Sequence, residues 1–300
     1  MSDGGYYEGD GGRQGSPAMG QLIRWAIGLL IGLVGVGMYM FRTEVNPVTG
    51  EKQHIGMNVD QEKALGLQAA PQMAQQMGGD IDPRDDERAT LVSEVGRRIV
   101  ERSDAGKSPY VDNFHFHLLS DPKTINAFAL PGGQVFITKA LFGRLTNEAQ
   151  LAGVLGHEIG HVIERHSAQQ MASGQLGQLL TVAIGVGSSG QDDGGRKAQM
   201  AAAMANQMLT LRYSRGDESQ ADDIGLKYMA QAGYDPRQML EVMKILKEAS
   251  GGGGQPEFLQ THPLPETRLE AIQKAIETTY PDGVPSDLSK GRPLGSSSRE

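Results

Sequence analysis

Two histidines four residues apart with a glutamate behind the first, His157-Glu158-Ile159-Gly160-His161, constrain this chain more than any other feature. On an α-helix positions i and i+4 share a face, so both imidazoles reach one metal ion. Glu158 stands at the edge of that face, where its carboxylate can hold and deprotonate a water on the ion. With seven histidines in 300 residues, such a pentapeptide turns up by chance in on the order of 1% of chains, and its surroundings weigh further against chance. Apolar Leu151, Val154, Leu155, Ile159 and Val162 interleave with it, which predicts a buried helix rather than a solvated one. Two imidazoles and a carboxylate buried together need a cation as partner. The expected chemistry is peptide hydrolysis at zinc.

Hydrolytic zinc takes three protein ligands and keeps one position open. The chain has no cysteine, so every ligand must be a histidine or a carboxylate. His166 lies nine residues after His157, roughly 180° around a continuous helix, and is expected to point away. The longer metzincin pattern needs a glycine at position 164 and a histidine at 167, where this chain has Glu164 and Ser167. A better candidate is Glu218, in the segment Arg215-Gly216-Asp217-Glu218-Ser219-Gln220-Ala221-Asp222 that opens a helix running to Gly233. Glu218 and Asp222 share a helix face, so Glu218 can complete a His₂Glu site while Asp222 accepts a hydrogen bond from a ligand imidazole. Taken alone, these acids would also suit a solvated helix start. The upstream motif tips the balance to ligation.

Elsewhere the patterning predicts helices from Gln61 towards Gly78 and over 83–102, the second with Leu91, Val92, Val95, Ile99 and Val100 on one face. Asn113 to Leu119 alternates as a half-buried strand, leaving His115 and His117 as surface histidines with no acidic neighbour. Residues 126–130 and 134–138 flank Pro131-Gly132-Gly133 and predict a β-hairpin. An edge strand there can pair with an extended peptide, which makes Asn126, Ala127 and Gly133 candidate substrate-binding residues. The site helix is expected to start at Thr146 or Asn147. Between the two ligand segments, residues 171–209 form a Gly-, Ala-, Met- and Gln-rich insertion, and its 188–195 break is a candidate lid over the site.

From Leu22 to Phe41 the chain is apolar apart from Arg24, and about twenty such residues match a bilayer core. The bulky exit Met38-Tyr39-Met40-Phe41-Arg42 favours an uncleaved anchor over a signal peptide. Flanking charges are nearly balanced, but a short leading segment before one span suits a signal-anchor, with the large domain on the periplasmic or extracytoplasmic side. The expected organisation is a disordered tail over 1–20, a transmembrane anchor over 21–42, a linker over 43–60, the catalytic domain over 61–280 and a second tail over 281–300. A net charge of −8 with no basic run excludes nucleic acid as a partner.

The chain resembles the gluzincin zinc metallopeptidases of the CAAX-prenyl-protease and HtpX type, most of all their envelope quality-control, BepA-like and Oma-like members. The resemblance covers most of residues 55–280. It rests on HEIGH, on Glu218-Ser219-Gln220-Ala221-Asp222, on Asn126-Ala127-Phe128-Ala129-Leu130-Pro131-Gly132-Gly133, on Arg165-His166-Ser167, and on Thr261-His262-Pro263 with Arg268. It implies a mainly helical α+β zincin-type domain with a small β-sheet, one Zn²⁺ held by His157, His161 and Glu218, and endopeptidase action on unfolded or membrane-associated polypeptides. The chain departs from multi-span branches, since one span is legible, and from relatives carrying a tetratricopeptide domain. In catalysis Glu158 is the expected base. Spacing leaves open whether Arg268 or His262 supplies an oxyanion donor, and whether His262 instead takes the fourth zinc position or caps a helix. A non-catalytic, chaperone-like membrane protein with a structural zinc site is the alternative.

Overall fold

Short polar side chains fix where the long helices start, in a computed structural model that describes residues 27–30, 33–34, 36–37, 43–174, 212–250, 256–263 and 266–294. Asn58 caps α1 (Val59–Gln76), Asp86 caps α2 (Glu87–Arg102) and Thr138 caps the short α3 (Lys139–Phe142). Asn147 caps α4 (Glu148–Ile163), the helix that carries the pentapeptide, and Ser214 caps α5 (Arg215–Gln231). Each cap oxygen accepts from a backbone N–H that the first helical turn leaves without a partner. Helices α6 (Arg237–Ser250), α7 (Glu257–Thr261) and α8 (Glu266–Thr279) follow.

Strands β1 (Thr43–Val45) and β2 (Lys52–His54) pair antiparallel. Strands β3 (His115–Leu119), β4 (Ala127–Leu130) and β5 (Gln134–Thr138) form a second sheet in the order β3-β5-β4, with β5 parallel to β3 and antiparallel to β4. The described residues are thus a mainly helical α+β structure with small sheets. Gly132 and Gly133 turn the β4–β5 hairpin at φ 81° and 112°. A Cβ on Gly132 would sit 2.5 Å from Lys63 Cα, so the turn presses on α1 and only glycine fits. Among the described residues no strand covers the outer edge of β4.

All sixteen residues of α4 are buried. Leu151, Leu155, Ile159 and Ile163 join Val92, Val95 and Ile99 of α2, Leu118 and Ile137 of the sheet, and Met239 and Val242 of α6 in the main core. A smaller cluster packs Ala70, Met73 and Ala74 of α1 on Leu119, Leu130 and Phe136. Against α5, helix α4 packs nearly backbone to backbone. A Cβ on Gly160 would lie 2.9 Å from Ala221 O, and one on Gly225 would lie 3.0 Å from His157 N. This approach places Glu218 and Asp222 beside the two histidines.

Both ends of α4 are closed by chain far away in sequence. Asn46 Nδ2 donates to Ile163 O at 2.7 Å and Gln53 Nε2 to Glu164 O at 2.8 Å, satisfying carbonyls at the helix end. Residues 43–60, expected as a linker, therefore carry the β1–β2 pair and hold the site helix. At the other end Glu148 N donates to Arg292 O and Ala149 N to Lys290 O, both at 3.0 Å, while Leu294 N donates to Thr146 O at 2.8 Å. Residues 290–294, within the expected tail 281–300, dock on the first turn of α4. Apolar periodicity misses both segments because polar backbone groups do the docking. Among the described residues no helix is long and apolar enough to cross a membrane. Most of the expected span 22–41 and all of 175–211 lie outside the described residues.

Candidate metal centre

Three donor side chains from α4 and α5 converge. His161 Nε2 lies 3.0 Å from His157 Nε2, while Glu218 places Oε1 3.5 Å from His161 Nε2 and Oε2 3.6 Å from His157 Nε2. A tetrahedral zinc with bonds of about 2.0–2.2 Å holds its ligand atoms roughly 3.3 Å apart. His157, His161, Glu218 and His262 together form a buried group able to hold one metal ion, with ligand atoms all within 4.8 Å of one another.

The carboxylate of Glu158 is fully buried, and neither of its oxygens has a hydrogen-bond partner. Burial raises its pKa to about 7, with His157 opposing and Glu218 adding to the rise. An orphaned buried carboxyl beside three converging donors fits a metal centre that works on a proton. Burial works against the Glu218 carboxylate too, yet His262, His161 and His157 around it outweigh that and hold its pKa well below the usual range. His161 is pushed well below its ordinary value, first by burial. His161 is thus kept from sharing a proton with the carboxylate it faces, which suits a ligand that binds metal as a neutral imidazole.

Asp222 stands one turn beyond Glu218 and accepts from His157 Nδ1 at 2.9 Å, the arrangement that orients a ligand imidazole. Arg268, from α8, donates to Asp222 Oδ1 at 2.8 Å and ion-pairs with Glu218, and its Nη1 also donates to Pro263 O at 3.2 Å. Burial of Asp222 is offset by this guanidinium, so its pKa falls. The guanidinium is occupied by two carboxylates and a carbonyl and braces the ligand carboxylate from behind. His262 follows α7 and brings Nδ1 to 2.9 Å from Glu218 Oε1 and 3.3 Å from His157 Nε2. Its Nε2 lies 3.7 Å from Glu158 Oε1 and has no hydrogen-bond partner. Phe258 stacks on its ring at 4.4 Å.

Ala127 begins the edge strand β4 and Asn126 precedes it, next to α7, where Phe258 N donates to Ile125 O at 3.2 Å. Asn126 Oδ1 is buried without a partner. Gly133 closes the other end of β4, with Gly133 O accepting from His115 N. His117 does have an acidic neighbour, since its Nδ1 lies 2.6 Å from Asp80 Oδ2; that aspartate comes from a loop 37 residues earlier, which strand spacing does not register.

His166 does not point away. Helix α4 ends at Ile163, and Arg165 takes a left-handed φ of 57°, so the chain doubles back and sets His166 Nδ1 2.9 Å from His161 Nδ1. The continuous helix assumed from sequence is broken at a residue with no glycine to announce it. Burial lowers the pKa of His166. Tyr213 was also missed. Its ring stacks on His161 at 3.9 Å and its hydroxyl meets Ser167 Oγ at 2.9 Å. A tyrosine just before a ligand helix carries no spacing signal of its own.

The sequence profile of peptidase family M48 matches residues 86–276. The beta-barrel assembly-enhancing protease of Escherichia coli (strain K12) is 36% identical over 213 residues, covering 68% of this chain and 43% of that protein. The one from Yersinia pestis is 32% identical, over 83% of this chain and 51% of its own length. The mitochondrial metalloendopeptidase OMA1 of Schizosaccharomyces pombe is 31% identical, over 84% of this chain and 71% of that protein. The chain thus spans about half the length of the bacterial relatives it matches.

Proposed function

The chain belongs to peptidase family M48, and from that premise we propose that it is a membrane-anchored zinc metalloendopeptidase that cleaves unfolded or membrane-associated polypeptides in protein quality control. One observation carries the reading: the partnerless, fully buried Glu158 carboxylate beside the His157, His161 and Glu218 donors. Zinc, when bound by those three residues, supplies the Lewis acidity that brings a water's pKa towards neutral and polarises a carbonyl. Glu158 takes the proton of the attacking water and returns it to the leaving amine, a task suited to a carboxyl whose pKa burial raises to about 7. Asp222 fixes the tautomer of His157 by accepting from Nδ1, and Arg268 holds Asp222 and Glu218 in place. His262 lies where a fourth donor would, so it competes with a substrate carbonyl and must swing aside or stabilise the oxyanion from its Nε2. Asn126 and Ala127, at the start of the open edge strand beside α7, receive an extended peptide, and Gly133 lets the hairpin turn behind it.

For the membrane, Leu29, Leu30, Leu33 and Val34 are each more than half exposed, apolar surface that a lipid environment accepts. Residues 22–41 are the anchor, with the catalytic domain on the extracytoplasmic side. A second reading is favoured by His262, because four protein donors make the closed set of a structural zinc in a chaperone-like protein. Such a site has no use for Glu158. Purified full-length protein is expected to bind one zinc and cleave an unfolded polypeptide, with Glu158→Gln abolishing cleavage and keeping the metal. Parent and Glu158→Gln chains equally inert on several unfolded substrates would select the structural reading.

A further inference from the structure

His157 is oriented directly by a buried carboxylate, Asp222. Its companion His161 has no carboxylate at Nδ1 and meets another histidine there, His166, at 2.9 Å. Proton positions follow from the donor geometry. His161 turns Nε2 towards His157 and Glu218, so a metal takes Nε2 and the proton must sit on Nδ1. That N–H donates to His166 Nδ1, which therefore carries its own proton on Nε2. His166 Nε2 in turn donates to Gln220 Oε1 at 3.1 Å, with Asp217 Oδ1 standing 4.0 Å away. The Gln220 amide donates to Glu51 Oε2 at 3.0 Å. Every link has one donor and one acceptor, and the series ends on an anion.

We propose that His166 is a positioning residue of the metal centre, holding His161 as its Nδ1–H tautomer and tying it through Gln220 to Glu51 between strands β1 and β2. The fold goes to some cost to put it there. Arg165 adopts a left-handed backbone, which strains a non-glycine residue. Its guanidinium offsets that by bonding Glu62 Oε1 at 2.9 Å, Glu44 Oε2 at 2.8 Å and Met57 O at 2.9 Å. Glu44 and Met57 come from the segment that holds Glu51, and Glu62 from the first turn of α1. Asn46 and Gln53 fasten the same segment to the end of α4. The stretch that follows the apolar residues 22–41 is thus bonded to one metal ligand's support, and its displacement loosens that ligand. On the other face of His161, Tyr213 stacks its ring and is held by Ser167, so consecutive residues His166 and Ser167 both act on one imidazole.

The inference rests on the proposed metal centre, and the test separates the two. Zinc affinity of the full-length protein is measured by competition with a chelator, and the visible spectrum is recorded after cobalt substitution. His166→Phe, which fills the space without an acceptor, is expected to weaken zinc binding about 10- to 100-fold and to shift the cobalt bands. His166→Asn, whose Oδ1 restores an acceptor near Nδ1, is expected to recover affinity to within about threefold of the parent, and Glu51→Gln to lose severalfold in the same direction. A folded His166→Phe chain that binds zinc within about twofold of the parent overturns the proposal, as does an Asn variant no better than the Phe variant. Should His166→Phe fail to fold, the half-exposed Gln220→Leu and the exposed Glu51→Gln decide by the same criterion. His161→Leu is the control: unchanged zinc in that variant overturns the metal centre itself.

Discussion

At Glu158 the burial that lifts the carboxyl to about pH 7 also sets a pH dependence for the metal-stripped chain. Below pH 4.5 the group is protonated in folded and unfolded chains alike. Above that it ionises first when unfolded, and only near 7 when folded. Stability from this residue is therefore lost as the pH rises through that window and stays lost above it, by on the order of 3 kcal/mol. Thermal unfolding in chelator should show Glu158→Gln overtaking the parent between those limits and tracking it below them; identical pH profiles would contradict the assignment. Asp222→Asn keeps an acceptor for His157 but removes the charge that Arg268 faces. Zinc affinity is expected to fall about tenfold, read by chelator competition, and no loss would argue against Asp222 as the support of His157. The two histidines, Glu218 and Asp222 were legible because one helical repeat separates each pair. His166 and Tyr213 were not, since their placement depends on a left-handed Arg165 and on ring stacking, neither of which has a spacing.

Among the elements, the α4–α5 contact decides whether the donors meet. Gly160 belongs to the pentapeptide but its task is steric. A Cβ there would meet Ala221 O at 2.9 Å and Ala221 Cα at 3.0 Å. Gly160→Ala is expected to cost about 1–3 kcal/mol in denaturant unfolding and to weaken zinc binding as Glu218 moves away. Gly216→Ala, in the same α5 but with no neighbour nearer than Ser214 Oγ at 3.6 Å, is expected to be neutral or mildly stabilising. Equal effects at the two positions would contradict the close-approach account. Helices α1 and α2 and the β4–β5 hairpin were legible from apolar period and from Pro131-Gly132-Gly133. The β1–β2 pair was not, since its strands are three residues each and dock through Asn46 and Gln53 rather than through an apolar face.

Across the whole molecule the site helix is closed at one end by residues 43–54 and at the other by residues 290–294. Removing residues 1–42 is expected to leave folding and zinc binding intact. Removing residues 1–57 strips the partners of Ile163 O and Glu164 O and two of the three on Arg165, Glu44 and Met57, and is expected to lower the unfolding temperature by roughly 5 °C or more. Equal unfolding temperatures for the two truncations would mean that the leading segment does not brace the site. At the centre of the molecule stands the proposed zinc ion on His157, His161 and Glu218, with Glu158 left free to move a proton. Anomalous diffraction at the zinc edge from crystals of the full-length protein tests it most directly. One peak is expected within about 2.0–2.2 Å of His157 Nε2, of His161 Nε2 and of a Glu218 carboxylate oxygen, with Glu158 outside that distance. A peak elsewhere, or one with Glu158 among its ligands, would contradict it.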